Sequence, residues 1–417
     1  MEIVNPVPVE EVRPWLASMS TTFLNDPAGK DFEHLVEAWR REWFADRVWG
    51  ARADGRWIAT LATDERAFTV PGPDGATRDV VADALTGVTV SATHRRRGLL
   101  SRMLSSSLAA ARGRCDALSI LIAAEWPIYG RFGYAPATQA ATYTLSPRFR
   151  PQLLSPAPSG SVRQVDAADL DKVAAEVFDR ARRLRAGQVD RRGEWWPRRL
   201  GLDGYHPTHD GKAPSYYIHE GAAGPDGILW WAATRDFELN GDLGAISVGN
   251  LTAATDEAYR NLFAYLLGID VISEIALDRR PVDEPVRWLL SDGRALRQTG
   301  VIDDVWIRLL DVPAALSARS YATGGRVVLE VVDEDTGGYA AGRFVLEADG
   351  ADTRCHPTSE APDLRIAQRT LASIYVGGFT LRQLAIAGGV AELTAGARDR
   401  VDAMFAVPLA PWNATGF

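Results

Sequence analysis

The chain has 417 residues, 46% of them hydrophobic and 24% charged, and a formal net charge of −8. That length suggests two to four domains, and 37 Gly and 23 Pro scattered along a globular composition mark no long disordered region. No apolar run reaches the roughly 18 residues of a membrane-spanning helix, the start MEIVNPVPVEEVRPW lacks a secretory pattern, and the acidic balance argues against nucleic-acid binding, so a cytoplasmic protein with neither membrane nor nucleic-acid partner is expected.

Residues 11–19 and 31–43 carry apolar side chains about every third or fourth position, which predicts two helices. Trp39, Trp43 and Trp49 lie close together there and read as core. Residues 56–62 follow the Asp54-Gly55 turn as a strand, and 67–70 form another before Pro71-Gly72-Pro73-Asp74-Gly75. Residues 79–90 supply more strand, broken at Gly87, where glycine marks a bulge or a close backbone approach. Then comes a basic turn, His94-Arg95-Arg96-Arg97-Gly98. Leu99, Leu100, Met103, Leu104, Leu108 and Ala111 follow at helical spacing, and 117–124 reads as a buried strand. Amide N–H groups at such a helix start carry partial positive charge and can hold a pyrophosphate, and three arginines add full charge beside them. Glu125 to Tyr134 then reads EWPIYGRFGY.

Residues 140–145 form a further strand. Pro147, Pro151, Pro156 and Pro158, with Ser155, Ser159 and Gly160, make a linker, which places a domain boundary near 150–160. Beyond it, 161–165 is strand-like and Asp166 starts a helix running through Val173, Val177 and Phe178 toward Arg185. The basic run 180–185 reads as a solvated helix face, and Trp195-Trp196-Pro197 as packing or interface. Strands at 216–218, 228–232 and 245–251, a helix at 255–267 and a strand at 271–277 echo the order of residues 84–124. This second copy lacks the basic glycine turn: it opens Leu251-Thr252-Ala253-Ala254-Thr255-Asp256-Glu257, and an acidic start repels pyrophosphate. From 301 onward the reading gives strands at 305–310, 326–332 and 341–347, a turn at 333–338, and helices at 313–319, 371–375, 381–387 and 398–405. Cys115 and Cys355 are far apart and read as buried bystanders, and the six histidines show no metal-ligand spacing.

Arg95-x-x-Gly98-x-Leu100 resembles the acyl-CoA-binding motif of the GNAT superfamily of N-acetyltransferases, with Leu100 where a small residue is usual. Thr93-His94-Arg95-Arg96-Arg97-Gly98-Leu99-Leu100 and Ile128-Tyr129-Gly130-Arg131-Phe132-Gly133-Tyr134 together resemble one branch of it, the Eis (enhanced intracellular survival) family. The resemblance implies an α/β (α+β) chain of tandem GNAT-like domains: 1–150 catalytic, 151–300 degenerate and without CoA, and 301–417 similar to a sterol carrier protein, its best local match being Leu310-Asp311-Val312-Pro313-Ala314-Ala315-Leu316. It implies acetyl-CoA as co-substrate, no metal, and a homohexamer. Main-chain groups of Val88, Thr89 and Val90 would pair with pantetheine and those of Arg96, Arg97, Gly98, Leu99, Leu100 and Ser101 with pyrophosphate, while Ala124 and Glu125 would lie beside the cofactor. Tyr129 would be the general acid that protonates the departing thiolate, with Tyr134 left to packing. The terminal carboxylate of Phe417, ionised at neutral pH with an ordinary pKa near ~3.5, would be the base. Gly416 replaces an acid common in better-known relatives. Asp26, Asp31, Glu33, Trp39 and Glu42 would line the amine pocket.

The expected function is therefore acetyl transfer to amines of cationic small molecules such as aminoglycosides or polyamines, by direct attack. Two rivals stand beside it. A non-catalytic acyl-CoA sensor would use Arg96 to Ser101 without depending on Tyr129, and a lipid-binding or assembly protein would use residues 301–417 alone. The presence of both Tyr129 and Phe417 favours the enzyme.

Overall fold

The computed structural model describes every residue except 30, 148–150, 156–158, 205–211, 240, 242, 335–336 and 351. The expected linker prolines Pro156 and Pro158, the stretch at the first expected boundary, 148–150, and Asp335-Thr336 of the expected turn lie outside the described residues. The chain forms two units: residues 1–138 with 303–411 and 416–417, and residues 139–302 with 412–415.

The first unit is built on a seven-stranded sheet in the order Glu2–Val4, Val48–Ala53, Arg56–Pro71, Thr77–Val90, Leu118–Ile122, Val305–Leu309, Ala135–Pro136. Thr77–Val90 and Leu118–Ile122 run parallel, so a crossover must join them, and the helix Leu99–Gly113 supplies it. That helix buries Leu99, Met103, Leu104, Leu108 and Ala111, the stripe its spacing predicts, against Trp49, Ile58, Leu61 and Leu121. Helices Val12–Thr22 and Phe32–Arg41 close a second cluster around Trp15, Leu16, Val36 and Trp57.

Where two strands were expected at 56–62 and 67–70, one runs unbroken from Arg56 to Pro71. The polar stretch Thr63-Asp64-Glu65-Arg66, read as a break, pairs in register with Leu85, Ala84, Asp83 and Ala82. Its charges find partners instead of ending the strand: Arg66 meets Asp64 at 2.7 Å and Arg47 meets Glu65 at 3.5 Å. The same unit carries a five-stranded sheet, Asp352–Pro357, Gly342–Asp349, Gly325–Val332, Leu364–Ala367, Val390–Glu392. Helices Val312–Ser317, Gln368–Ile374 and Ala397–Phe405 accompany it. Val327, Leu329, Leu346, Ile366 and Met404 are buried in this part.

The second unit holds the other seven-stranded sheet, Leu296–Asp303, Gln139–Leu145, Ile272–Arg280, Gly244–Ala253, Gly224–Arg235, Ser215–Gly221, Ser161–Val165. Asp166 caps the helix Ala167–Arg182 through a side-chain bond from Asp169 N. The run 180–185 is not uniformly solvated: Arg182 is buried and reaches Asp179 at 2.7 Å. Trp196 is buried against Phe178 and Trp230.

Two strands pair across the linear divisions at 150 and 300. Gln139–Leu145 pairs with Ile272–Arg280 in the second sheet, and Val305–Leu309 pairs with Leu118–Ile122 in the first. Every residue of Val305–Leu309 is buried. Four apolar residues on both faces announce a central strand but not which sheet it enters, and the fifth, Arg308, is buried with Asp333 at 3.1 Å. Cys115 departs from its reading as a buried residue. It is exposed, in the left-handed turn (φ +67°) that leaves the crossover helix, while Cys355 is buried. No helix among the described residues is long and apolar enough to cross a membrane.

Candidate active site

The site begins where two parallel strands part. The ladder between Thr77–Val90 and Leu118–Ile122 ends at Ala84 opposite Ile120, although Thr77–Val90 continues for six residues. On its other side the strand keeps its partner, with Thr60 opposite Thr89 and Ala59 opposite Val90. A bulge lies between these pairs and Ala62–Thr86, and it falls at Gly87, whose φ is +59°. Thr60 fixes it: its Oγ1 donates to Gly87 O at 2.7 Å and sits 2.6 Å from Thr89 Oγ1. Main-chain groups of Val88, Thr89 and Val90 that face away from Arg56–Pro71 therefore have no ladder partner among the described residues, and Val90 O accepts a long bond from Arg95 Nε at 3.5 Å. An extended amide-bearing chain can supply one.

The crossover helix starts beside this strand end. Gly98 holds φ +74° at its N-cap, and Arg96 is also left-handed at +62°. No side chain caps the helix, so its first N–H groups point outward with no internal acceptor. Arg95, Arg96 and Arg97 are exposed around them. Uncapped amides at a helix start, with guanidinium groups beside them, fit a pyrophosphate. Leu100 does not obstruct this, because its side chain packs into the cluster of Leu99, Met103 and Ile58 together with Val88 and Val90.

The other side of the opening leads to the acid candidate. After Leu118–Ile122, Ala124 and Glu125 are exposed. Glu125 precedes the single-turn helix Trp126–Tyr129. Tyr129 is 6% exposed, and burial first, then the negative charge of Glu125, pushes its phenol up to about 12. It stays protonated across the physiological range, the state a proton donor needs. Tyr134 meets it edge-on, with ring centroids 6.2 Å apart. The Tyr134 hydroxyl is occupied elsewhere, 2.6 Å from Ser119 Oγ.

The amine-pocket candidates divide. Trp39 is half-buried in a cluster with Trp15 and Trp43, at centroid distances of 5.4 and 6.1 Å. Trp15 and Trp39 lie over the bulge, since a Cβ on Gly87 would stand 3.2 and 3.7 Å from their rings. Asp26, Asp31, Glu33 and Glu42 are exposed. Asp26 accepts from Ala28 N at 2.8 Å and Glu33 pairs with Arg13 at 2.6 Å. Among the described residues no cluster of three or more His, Cys, Asp or Glu is placed to hold a metal ion.

Phe417 is half-buried and belongs, with Gly416, to the unit that carries Tyr129. Residues 412–415 are tied down in the other unit. Asn413 Oδ1 accepts from Val189 N and Thr415 N, and Ala414 N donates to Gln188 Oε1. Arg191 donates to Thr415 Oγ1 at 3.2 Å and to Ala414 O at 2.7 Å, with its guanidinium 4.0 Å from the centre of the Phe178 ring. A terminus normally frays, whereas this one is bonded to within two residues of its end. Sequence reading missed Arg191, Gln188 and Asn413, because partners more than 220 positions apart leave no local signal.

Three stretches match models of known families: residues 4–137 and 187–309 each match an acetyltransferase (GNAT) domain, and 312–414 a sterol carrier protein domain. An uncharacterized N-acetyltransferase of Streptomyces griseus is 38% identical over 416 residues, 98% of each chain. N-acetyltransferase Eis of Mycobacterium tuberculosis is 33% identical over 349 residues, 81% of this chain and 80% of that protein. The crystal structure of Eis1 from Mycobacterium abscessus covers 100% of both chains with a TM-score of 0.86 at 32% identity.

Proposed function

The chain belongs to the Eis family of GNAT N-acetyltransferases, and from that membership we propose that it acetylates amine groups of cationic small molecules, such as aminoglycosides or polyamines, with acetyl-CoA as donor. The observation that carries the reading is the opening between Thr77–Val90 and Leu118–Ile122, bordered by the arginine-bearing turn at Gly98 and leading to a protonated Tyr129. Residues Arg96 to Ser101 bind the pyrophosphate through main-chain amides, Val88 to Val90 bind the pantetheine arm, and Ala124 and Glu125 border the thioester. The amine nitrogen attacks the thioester carbonyl and the C–S bond breaks. Tyr129 donates its proton to the sulfur as it leaves. The proton lost by the amine goes to the Phe417 carboxylate, directly or through water. The formal charge of −8 favours a cationic acceptor. A cytoplasmic homohexamer completes the proposal, and the hexamer rests on family membership alone.

The test is release of free thiol from acetyl-CoA against a panel of amines. Tyr129→Phe is expected to lower kcat by about 10²- to 10⁴-fold while leaving the Kd for CoA unchanged. A chain extended by a few residues past Phe417 is expected to lose turnover while keeping CoA binding. Activity unaffected by the extension would remove the terminal base and leave the acetyltransferase reading in place. Tight CoA binding without turnover on any amine would remove the enzyme proposal.

A further inference from the structure

Behind the turn that carries Tyr129 lies a cavity of about 290 Å³ that the acetyl-transfer reading does not use. It sits wholly within the first unit. Trp126, Tyr134, Pro136 and Trp306 form one wall, and Arg369 and Ser373 belong to the other. The two indoles meet edge to face, with centroids 4.9 Å apart and planes at 75°. Trp126 is the outer lip, 60% exposed. Arg369 is exposed at the rim. Its Nη1 would lie 3.6 Å from a Cβ placed on Gly130, so the guanidinium faces the same turn. Next to it in the helix, outside the cavity lining, Gln368 is buried, and neither atom of its amide has a hydrogen-bond partner among the described residues.

We propose that this cavity binds a small planar aromatic carboxylate. Indole edges and faces accept a ring in offset or perpendicular contact, and a planar guanidinium is matched to a carboxylate through two parallel N–H bonds. A volume at the bottom of the range for small-molecule sites suits one ring system with a short acidic arm rather than an acyl chain. The inference does not depend on the acetyl-transfer reading, since none of the groups named here takes part in it.

The experiment is calorimetric titration of the full chain, saturated with CoA, with indole-3-acetate and with its neutral amide. The acid is expected to bind one per chain and more tightly than the amide. Trp126→Ala and Arg369→Gln, both at exposed side chains, are each expected to weaken it by about 10-fold, with circular dichroism unchanged. The proposal is overturned by no binding at millimolar acid. It is equally overturned by affinity untouched by both substitutions, or by acid and amide binding alike with Arg369→Gln silent.

Discussion

The two strand–helix–strand copies differ least in path and most in their ends. Each has a parallel pair joined by one crossover helix, and in each the strand before the helix is bulged at a glycine, Gly87 or Gly249. In the first copy the helix opens at an uncapped Gly98 among exposed arginines. In the second it opens at Thr255, whose side chain accepts from Ala258 N, with Asp256 and Glu257 in the first turn. Both ladders stop early, the second at Val248 opposite Leu277. There the structure fills its own gap: Arg280 Nη1 donates to Leu251 O at 2.9 Å and its Nε to Glu284 Oε2 at 2.6 Å, while Trp412 lies 5.3 Å from the guanidinium. One backbone plan thus gives an opening where main-chain groups are left over, and a second copy where a side chain of the same chain, Arg280, takes one of them.

The largest break of this contrast is Arg280→Ala, which leaves the buried Glu284 without its guanidinium partner and with the Tyr259 hydroxyl alone of the two. It is expected to cost about 3–5 kcal/mol, read as a lower urea midpoint. Reopened in this way, the second copy is still expected to bind no CoA, because its helix start stays acidic. Arg96→Glu with Arg97→Glu should raise the Kd for CoA by about 10- to 100-fold without moving that midpoint. The pH profile sharpens the role of Tyr129. A phenol pushed up to about 12 is fully protonated below roughly pH 10 and is lost as an acid only as pH rises through about 12. So kcat should show no alkaline fall below pH 10. The smallest effect is Thr255→Ala, expected to cost about 1 kcal/mol of stability as the lost helix cap and to leave acetyl transfer unchanged.

Much of the first copy was legible because its chemistry is local. The strand end at Val88–Val90, the turn at Gly98, the helix and Tyr129 lie within 42 residues of one another, and each follows from periodicity or turn chemistry in its own window. What escaped was long-range. Leu296–Asp303 was not read as a strand because its residues are exposed through most of its length, with no apolar alternation to mark it. Val305–Leu309 reads as buried, but nothing in its four apolar residues and Arg308 says that Leu118–Ile122 is its neighbour. The polar stretch 63–66 hid a continuous strand because its charges are paired by residues from elsewhere, Arg47 among them. The tail was read for its last carboxylate and not for Asn413 and Thr415, which hold it.

The measurement that tests the central claim most directly is the stoichiometry of CoA binding to the full chain by titration calorimetry, with the Arg96→Glu/Arg97→Glu chain beside it. The account predicts one site per chain, at least about 10-fold weaker in the double variant. Two sites per chain, or one site indifferent to both substitutions, would contradict it and place CoA binding somewhere other than the opening beside Gly98.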